Sequence, residues 1–420
     1  MVAQNVSIRL KSMGRNFSHG PVGSNTHYFN ISGKLILLDP GSRIKFSKYR
    51  FPNFKAIVAT HAHADHVDGL ADYANNCQKL SLKIPPIYMT AATKEFTLRY
   101  LGESNQAEVL RTISQNIHVT EFGKPFNIDG ITCTFRSAGH IAGAAAVLFD
   151  SKEHVKVLYT GDFSRKDTTF NKGLEVPPEN LKLLIIEGTN TGKKGERTQE
   201  ENLASLLEKQ IKNKPVIFVS RPIRPLIDLI LGKYAQEVLP PYFPSKIYCD
   251  ESSYSHFMKA IELCQDTSLA ARFTDRLRSA IVPLSELNME ANPNPFIIID
   301  RHYSYSRKEN FISRLNALVS AHNLEQAAVV VGRDMDLTQI DIAKTNGKLA
   351  VSLDGHIVWS HGEGHATDAE IRDVIKNTKA ENIIFVHGGN RLKKFVRELQ
   401  AEYPSKKIFI SMAGQPIDIE

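Results

Sequence analysis

The chain has 420 residues, of which 42% are apolar and 23% charged, a composition typical of a globular protein able to bury a sizeable core. It contains no run of about 18 apolar residues, and its N-terminal segment lacks the apolar stretch of a signal peptide, so we expect a cytoplasmic protein without a membrane span. The net charge of +7 favours an acidic partner such as nucleic acid, although it could serve solubility alone. Four widely spaced cysteines without a CxxC pair predict free thiols rather than disulfides or a thiolate metal site.

Five short apolar runs are predicted as strands that end at an ionisable residue. In chain order they are KLILLDPG ending at Asp39, KAIVATH at His61, KVLYTGD at Asp162, LKLLIIEG at Glu187 and NIIFVHGG at His387. Runs of this length and composition are typical of buried strands in a layered α/β fold. Because the ends of strands that share a sheet converge, we expect these side chains to lie close together.

Two amphipathic helices are predicted in the C-terminal part of the chain. The first, 367–379, opens with the capping box of Thr367 and Glu370. The second, 391–400, places apolar residues at i, i+3, i+4 and i+7. These periodic positions predict packing against a core rather than a functional role.

The middle of the chain, 193–360, has an α/β alternation of its own and lacks the histidines that end strands elsewhere. Histidines of that kind resume at His361, His365 and His387. This pattern predicts a second domain inserted at 193–360 into a first domain made of 1–192 and 361–420.

The stretch THAHADHVDGL, residues 60–70, places three imidazoles and a carboxylate within six positions after a predicted strand. His61, His63, Asp65 and His66 are of the types that bind zinc and similar divalent ions. With 15 histidines in the whole chain, this spacing is improbable by chance in an exposed polar loop. The stretch therefore predicts a metal site.

This motif resembles the signature of the metallo-β-lactamase superfamily, and further motifs follow in the order expected for that family. Asp39 in LLDPG is similar to its first motif, and the histidine-rich stretch to its second. His140 in SAGHIAGAA and Asp162 in YTGDFS are similar to its third and fourth motifs. The resemblance implies an α/β fold with an αββα sandwich.

Three later motifs narrow the resemblance to the β-CASP subfamily, the branch that processes nucleic acids. They are Glu187 in LLIIEGTNTG, His365 in HGEGHATDAE and His387 in IIFVHGGN. The subfamily carries an inserted α/β domain between the first two of these motifs, in agreement with the insertion predicted above. HGEGHA is most similar to the form found in RNase J and bacterial ribonucleases.

The resemblance implies a centre of two zinc ions that activates water for attack on a phosphodiester, and Mn²⁺ would suit the same ligand types. Asp39 is implied to orient ligands, and His365, held by Glu187, to act as the general acid. In the absence of such roles, Glu187 could cap the loop after its strand and His365 could be an ordinary buried histidine. The implied metal ligands are His61, His63, His140 and Asp162 for one ion, and Asp65, His66, Asp162 and His387 for the other.

Substrate contacts are predicted only from isolated residues. His361 lies four residues before His365 and is a candidate phosphate contact. Arg221 and Arg224 in SRPIRP and Arg333 in GRD are further candidates, although a solvated or ion-paired surface arginine is the simpler explanation of each.

The sequence thus predicts a dinuclear zinc hydrolase that cleaves single-stranded RNA, at internal bonds or from the 5′ end. RNA is preferred because the last two motifs resemble those of ribonucleases. A DNA nuclease of the same family and a metallo-hydrolase of small phosphoesters, thioesters or lactones are the alternatives. An inactive binding scaffold is disfavoured because all seven ligand positions are filled. Membership of a homo-oligomer or of a processing complex is left open.

Overall fold

The computed structural model of the chain divides into two compact units. Unit 1 consists of Met1–Asp167, Asn171–Lys194 and Gly364–Glu420, and unit 2 of Thr168–Phe170 and Gly195–Glu363. The residues whose structure is described are 7–13, 25–41, 44, 46, 52–102, 107–153, 155–167, 169–178, 180–192, 214–220, 245–264, 268–300, 310–331, 355–356 and 364–420.

Unit 1 contains two sheets, each with seven strands among the described residues. In chain order the strands of the first sheet are β1 (Ile8–Ser12), β2 (His27–Ile31), β3 (Lys34–Leu38), β4 (Ala56–Val58), β5 (Ile87–Met89), β6 (Ile117–Val119) and β20 (Pro416–Ile419). Those of the second sheet are β7 (Pro125–Ile128), β8 (Ile131–Ser137), β9 (Ala145–Asp150), β10 (Lys156–Tyr159), β11 (Leu183–Gly188), β18 (Asn382–Gly388) and β19 (Lys407–Ile410). The spatial orders are β20-β1-β2-β3-β4-β5-β6 and β19-β18-β11-β10-β9-β8-β7.

Parallel pairing in both sheets brings the predicted strand ends together. Strands β3 and β4 run parallel, and so do β10, β11 and β18. The two sheets are also linked near these ends, because the N–H of Ala145, the first residue of β9 in the second sheet, donates to the carbonyl of Thr60 in the loop after β4 at 2.9 Å. The expectation that these strand ends converge is therefore correct.

The two sheets of unit 1 pack face to face, and helices cover both outer faces. One core cluster joins the inner faces and includes Phe29 and Val58 from the first sheet and Phe135, Tyr159 and Ile384 from the second. The helices of unit 1 are α1 (Ala64–Val67), α2 (Gly69–Lys79), α3 (Ala91–Gly102), α4 (Ala107–Asn116), α8 (Asp368–Thr378) and α9 (Leu392–Glu402). A second cluster joins the outer face of the first sheet to helices α2 and α4, and a third joins the outer face of the second sheet to α8 and α9. The predicted αββα sandwich is confirmed.

The two predicted C-terminal helices are present with the expected contacts. Helix α8 begins with a complete capping box, in which the Thr367 hydroxyl accepts from the Glu370 backbone N–H and the Glu370 carboxylate accepts from the Thr367 N–H. On α9 the predicted apolar face is buried, and it consists of Leu392, Phe395, Val396 and Leu399.

Unit 2 contains a parallel sheet with six strands among the described residues, in the order β14-β13-β15-β12-β16-β17. These strands are β12 (Val216–Ser220), β13 (Ile247–Cys249), β14 (Ile281–Pro283), β15 (Phe296–Asp300), β16 (Ala328–Val331) and β17 (Gly355–His356). The accompanying helices are α5 (Glu251–Leu263), α6 (Ser268–Ala280) and α7 (Asn310–His322). Leu315 and Val319 of α7 pack against Ile217, Ile297 and Val329 on one face of the sheet. The predicted inserted α/β fold is confirmed.

Two expectations from composition also have structural outcomes. Among the described residues, no helix is long and apolar enough to cross a membrane. All four cysteines are free and buried, as predicted.

Candidate metal centre

Asp39 directly follows β3 and is a buried carboxylate that accepts four hydrogen bonds within the site. Its Oδ1 accepts the Thr60 backbone N–H at 2.7 Å. Its Oδ2 accepts three donors, namely the Thr60 hydroxyl at 2.8 Å, the Tyr159 hydroxyl at 2.7 Å and His66 Nδ1 at 2.9 Å. Asp39 thus fixes one histidine ring and the loop that carries the others, and it lies outside the groups of described side chains that could hold a metal.

The first group able to hold a metal combines His61, His63, His140 and Asp162, whose ligand atoms all lie within 4.8 Å of one another. His63 Nδ1 lies 3.1 Å from His61 Nε2 and 3.0 Å from His140 Nε2. Asp162 Oδ2 lies 3.7 Å from His61 Nε2 and 3.8 Å from His140 Nε2. Three ring nitrogens and a carboxylate oxygen thus converge, a donor set that suits zinc and related divalent ions.

A hydrogen bond on the far side of the His140 ring sets the tautomer that this arrangement requires. His140 Nδ1 lies 2.7 Å from the Gly364 carbonyl, which can only accept, so Nδ1 carries the proton and Nε2 keeps its lone pair. Burial lowers the pKa of His140 to about 4, with His365 adding to the effect. Burial and the neighbouring His66 also hold the pKa of His61 well below its usual range. Neutral imidazoles are the form that binds metal.

The second group combines His66, Asp162 and His387. Asp162 Oδ2 lies 3.2 Å from His66 Nε2, and its Oδ1 lies 3.0 Å from His387 Nδ1. Burial opposes a charge on His66, but Asp162, Asp39 and Asp65 together raise its pKa well above the usual range. The same carboxylates would favour a divalent cation at this position.

His387 reaches the second group because of a bulge in β18. The pairing of β11 with β18 shifts register there, so that Glu187 faces Val386 while Gly188 faces Gly388. His387 is the extra residue, and it has a left-handed backbone with a φ of 47°. Bulges redirect a side chain in this way, and a non-glycine residue with positive φ is uncommon.

Asp65, in the single turn of α1, lies at the edge of the second group rather than within it. Its Oδ2 is 3.9 Å from His66 Nε2, and its side chain is 45% exposed. The predicted role of Asp65 as a ligand beside His66, Asp162 and His387 stays a prediction, because these three residues form the group that could hold a metal without it.

The third group contains Glu187 and His365 beside Asp162. His365 Nδ1 lies 2.9 Å from each Glu187 oxygen and 3.8 Å from Asp162 Oδ2. Burial opposes the charged ring, but Glu187 and Asp162 raise the pKa of His365 to about 9. The Glu187 carboxylate is itself fixed, because it accepts the Phe163 N–H at 3.0 Å and the Thr189 N–H at 3.2 Å. The predicted dyad therefore has the geometry of an oriented imidazolium.

Two glycines permit the close packing of the loops that carry these side chains. Gly161, directly before Asp162, has a φ of 56°, and a Cβ there would lie 2.7 Å from the Thr60 hydroxyl oxygen. A Cβ on Gly41 would lie 1.6 Å from the Asp65 carbonyl oxygen. Neither position accepts a side chain without movement of its neighbours.

The structure brings together ten of the fourteen predicted site residues, all of them in unit 1. The other four lie outside the described residues, and they are His361, Arg221, Arg224 and Arg333.

Sequence reasoning missed the residues that support the ligands. Thr60 and Tyr159 bind Asp39, the Gly364 carbonyl binds His140, and Asn25 contacts Asp65 and His66. The first two stand within quoted runs, KAIVATH and KVLYTGD, where a polar residue inside a buried run is a usable signal. A backbone carbonyl leaves no such signal.

Comparison with known proteins gives a family match and a set of distant relatives. The model of a family described as "Anti-Pycsar protein Apyc1" matches residues 7–218. Cleavage and polyadenylation specificity factor subunit 3-I of Arabidopsis thaliana is 24% identical and aligns with 91% of this chain and 60% of its own length. Endoribonuclease YSH1 of Mycosarcoma maydis is 23% identical, with 92% of this chain and 48% of its own length aligned. This chain therefore spans only about half the length of these relatives.

A solved structure resembles the whole chain in fold. It is a protein of unknown function from Enterococcus faecalis V583, with a TM-score of 0.57 and 11% identity, covering 98% of this chain and 100% of its own. At this identity the likeness concerns the fold alone. With the αββα sandwich and the family match over half of the sequence, the predicted resemblance is confirmed. The chain belongs to the family described as Anti-Pycsar protein Apyc1, within the metallo-β-lactamase superfamily and its β-CASP branch.

Proposed function

We propose that this protein is a metal-dependent hydrolase that cleaves phosphodiester bonds of single-stranded RNA through a centre of two zinc ions. The observation that carries the proposal is the position of Asp162, whose carboxylate belongs to both groups of histidines in unit 1. A carboxylate shared in this way is suited to bridge two cations. We take His61, His63, His140 and Asp162 as the ligands of one ion, and Asp65, His66, Asp162 and His387 as those of the other.

The donor set fits such ions on the chemistry of its atoms. His63 Nδ1 lies 3.1 Å from His61 Nε2 and 3.0 Å from His140 Nε2, and the tautomer of His140 leaves its inward nitrogen without a proton. Two bound ions would supply the Lewis acidity that activates water and neutralises charge on a phosphate oxygen. Mn²⁺ would be accepted by the same atoms.

The remaining task in phosphodiester hydrolysis is the protonation of the leaving oxygen, and we assign it to His365. Its Nδ1 is occupied by Glu187, so Nε2 is the ring nitrogen left to deliver a proton. The ring is 13% exposed, in keeping with a group that meets a substrate. Glu187 orients the ring and favours its charged form, and it would not contact the substrate.

RNA is proposed as the substrate on two grounds. Relatives that align with most of this chain carry the names cleavage and polyadenylation specificity factor subunit 3-I and endoribonuclease YSH1. The net charge of +7 is also favourable for a polyanion. We further propose that residues 193–360 form the inserted β-CASP domain and that 1–192 and 361–420 form the metallo-β-lactamase domain. Internal cleavage, 5′-end cleavage and a role in a processing complex are all compatible with this proposal.

One observation favours a second candidate, the hydrolysis of a small phosphoester by the same centre. The family match covers 7–218, which includes the four superfamily motifs and Glu187 but neither His365 nor His387, and it ends within the first strand of unit 2. A shared activity of that family would then depend on residues 7–218 and not on the two later histidines.

The test is a cleavage assay on protein of measured metal content. Uniform single-stranded RNA and DNA of the same sequence, each labelled at either end, and bis(4-nitrophenyl) phosphate would be incubated with and without a chelator. We expect chelator-sensitive cleavage of RNA, with the two labels separating internal from end-first attack. His61→Ala should abolish it, and His118→Ala, which alters an exposed histidine on β6, should not. Cleavage of bis(4-nitrophenyl) phosphate without cleavage of RNA would favour the second candidate instead.

A further inference from the structure

Asn25 is a buried polar residue beside the metal centre that no motif predicts. It lies two residues before β2, and only 2% of its surface is exposed. Its Nδ2 is 2.9 Å from Asp65 Oδ2 and 2.6 Å from His66 Nε2. Its Oδ1 has no hydrogen-bond partner among the described residues. Burial of an unpaired amide oxygen costs stability, so the placement of this side chain calls for a compensating role.

The backbone around Asn25 is fixed from two sides. The Thr26 carbonyl accepts the Met13 N–H at 2.8 Å, and the Thr26 hydroxyl accepts the Gly41 N–H at 2.8 Å. Gly41 in turn packs directly against the backbone of Asp65, where an added Cβ would overlap the carbonyl oxygen. These contacts fix the segment before β2, the loop after β3 and helix α1 relative to one another. The Asn25 amide therefore contacts Asp65 with little conformational freedom.

Asp65 needs such support because it is the least constrained of the residues that we assign to the two ions. Its side chain is 45% exposed, whereas those of His66 and Asp162 are almost fully buried. Its carboxylate lies outside the group formed by His66, Asp162 and His387, at 3.9 Å from His66 Nε2. The Asn25 amide donates to the Asp65 oxygen that faces this group.

We propose that Asn25 is a positioning residue that holds the Asp65 carboxylate at the second cation site. This inference rests on the proposed metal centre but not on the identity of the substrate. An amide is suited to the task, because Nδ2 can donate to a carboxylate oxygen and adds no second anion beside the cation. Partners of this kind, which orient a ligand without binding the metal, typically contribute 10–100-fold to metal affinity.

The test measures metal affinity rather than catalysis. Metal would first be removed from each protein with a chelator. Zinc binding would then be followed by competition with a chromophoric chelator in four proteins: wild type, Asn25→Ala, Asp65→Ala and the double variant. We expect Asn25→Ala to lower the affinity for the second ion by about 10–100-fold and to leave the affinity for the first ion within about 2-fold of the wild type. In the Asp65→Ala background, Asn25→Ala should add less than about 2-fold, because its effect passes through the missing carboxylate.

Two controls separate positioning from loosening of the fold. Asn30→Ala removes an asparagine from the same hairpin, whose side chain accepts from the Gly33 N–H in the turn, and it should leave both affinities unchanged. If Asn25→Ala does not fold, Asn25→Ser removes the amide while keeping a small polar side chain, and the same weakening is expected. A cooperative thermal unfolding transition of each metal-free variant would confirm that it is folded.

Two results would overturn the inference. Wild-type affinity for both ions in Asn25→Ala would show that the amide does not support the site. Equal losses in both backgrounds would show that Asn25 acts without Asp65. By contrast, a wild-type protein that binds two ions but does not cleave RNA would refute only the proposed ribonuclease activity, and the contribution of Asn25 to metal affinity would still be measured.

Discussion

Asp39→Asn is the substitution that most sharply tests how the metal centre is organised. The side chain keeps its shape but loses one acceptor and gains a donor. In the native site Oδ1 accepts the Thr60 backbone N–H, and Oδ2 accepts the Thr60 and Tyr159 hydroxyls and His66 Nδ1. An asparagine has one acceptor oxygen, so in either orientation its amide N–H group faces a donor, the Thr60 N–H or His66 Nδ1–H.

The magnitude follows from that conflict. A buried donor left without an acceptor costs about 1–3 kcal/mol, and we expect the free energy of unfolding to fall by this amount. If the amide faces His66, the ring is driven to the tautomer with its proton on Nε2, the atom that lies 3.2 Å from Asp162. If it faces Thr60, His66 keeps only a weaker, uncharged acceptor. Loss of ligand orientation typically costs 10–100-fold in metal affinity, or about 1.4–2.8 kcal/mol.

The assay is a chelator-competition titration that resolves the two ions, with NMR of the histidine ring nitrogens to report the tautomer of His66. Asp418→Asn is the matched control, because Asp418 is an exposed residue of β20 that pairs with Arg9 at the surface. We expect a selective loss of the second ion in Asp39→Asn and none in the control. A folded Asp39→Asn protein with unchanged affinity for both ions would refute the reasoning.

Two further predictions concern residues around the centre. Gly41→Ala places a Cβ 1.6 Å from the Asp65 carbonyl oxygen, so it should destabilise the fold by about 1–3 kcal/mol and weaken binding of the second ion. Gly389→Ala, whose Cβ meets no atom within 4 Å, should do neither. Chemical denaturation and metal titration would check both, and equal stabilities would contradict the prediction. Burial, reinforced by His66, lowers the pKa of His27 to about 3. As the pH falls below about 6.5, the ordinary pKa of histidine, protonation of His27 therefore favours the unfolded state. The free energy of unfolding should drop by about 2 kcal/mol between pH 7 and pH 5. His27→Gln in chelated protein should lose this part of the pH dependence, and identical slopes of unfolding free energy against pH would contradict it.

Much of unit 1 was predictable because local patterns carried the information. The capping box at Thr367 and the apolar face of α9 depend on residues three or four positions apart, and both are present. The convergence of strand ends at Asp39 and Asp162 was predictable because buried parallel strands share a sheet edge. The family motifs then supplied an order that periodicity alone could not give.

Other features of the site depend on contacts that are distant in sequence or have no side-chain signature. Strand β1 pairs with β20 near the opposite end of the chain, and no local pattern specifies this pairing. His387 is aimed by a bulge, which is visible only once β11 and β18 are paired. Asn25 stands alone before a strand, and its role depends on the segment, loop and helix that surround it. The predicted contacts at His361 and the three arginines stay predictions, since they lie outside the described residues.

The central claim, that one shared carboxylate organises an RNA-cleaving metal centre, is tested most directly by Asp162→Ala. Metal stoichiometry and the rate of cleavage of end-labelled single-stranded RNA would be measured for the wild type, for Asp162→Ala and for the exposed control Asp418→Ala. We predict that the wild type and the control bind two ions and cut RNA in a chelator-sensitive manner, and that Asp162→Ala folds but loses both ions and the activity. RNA cleavage by Asp162→Ala at the wild-type rate would contradict the account.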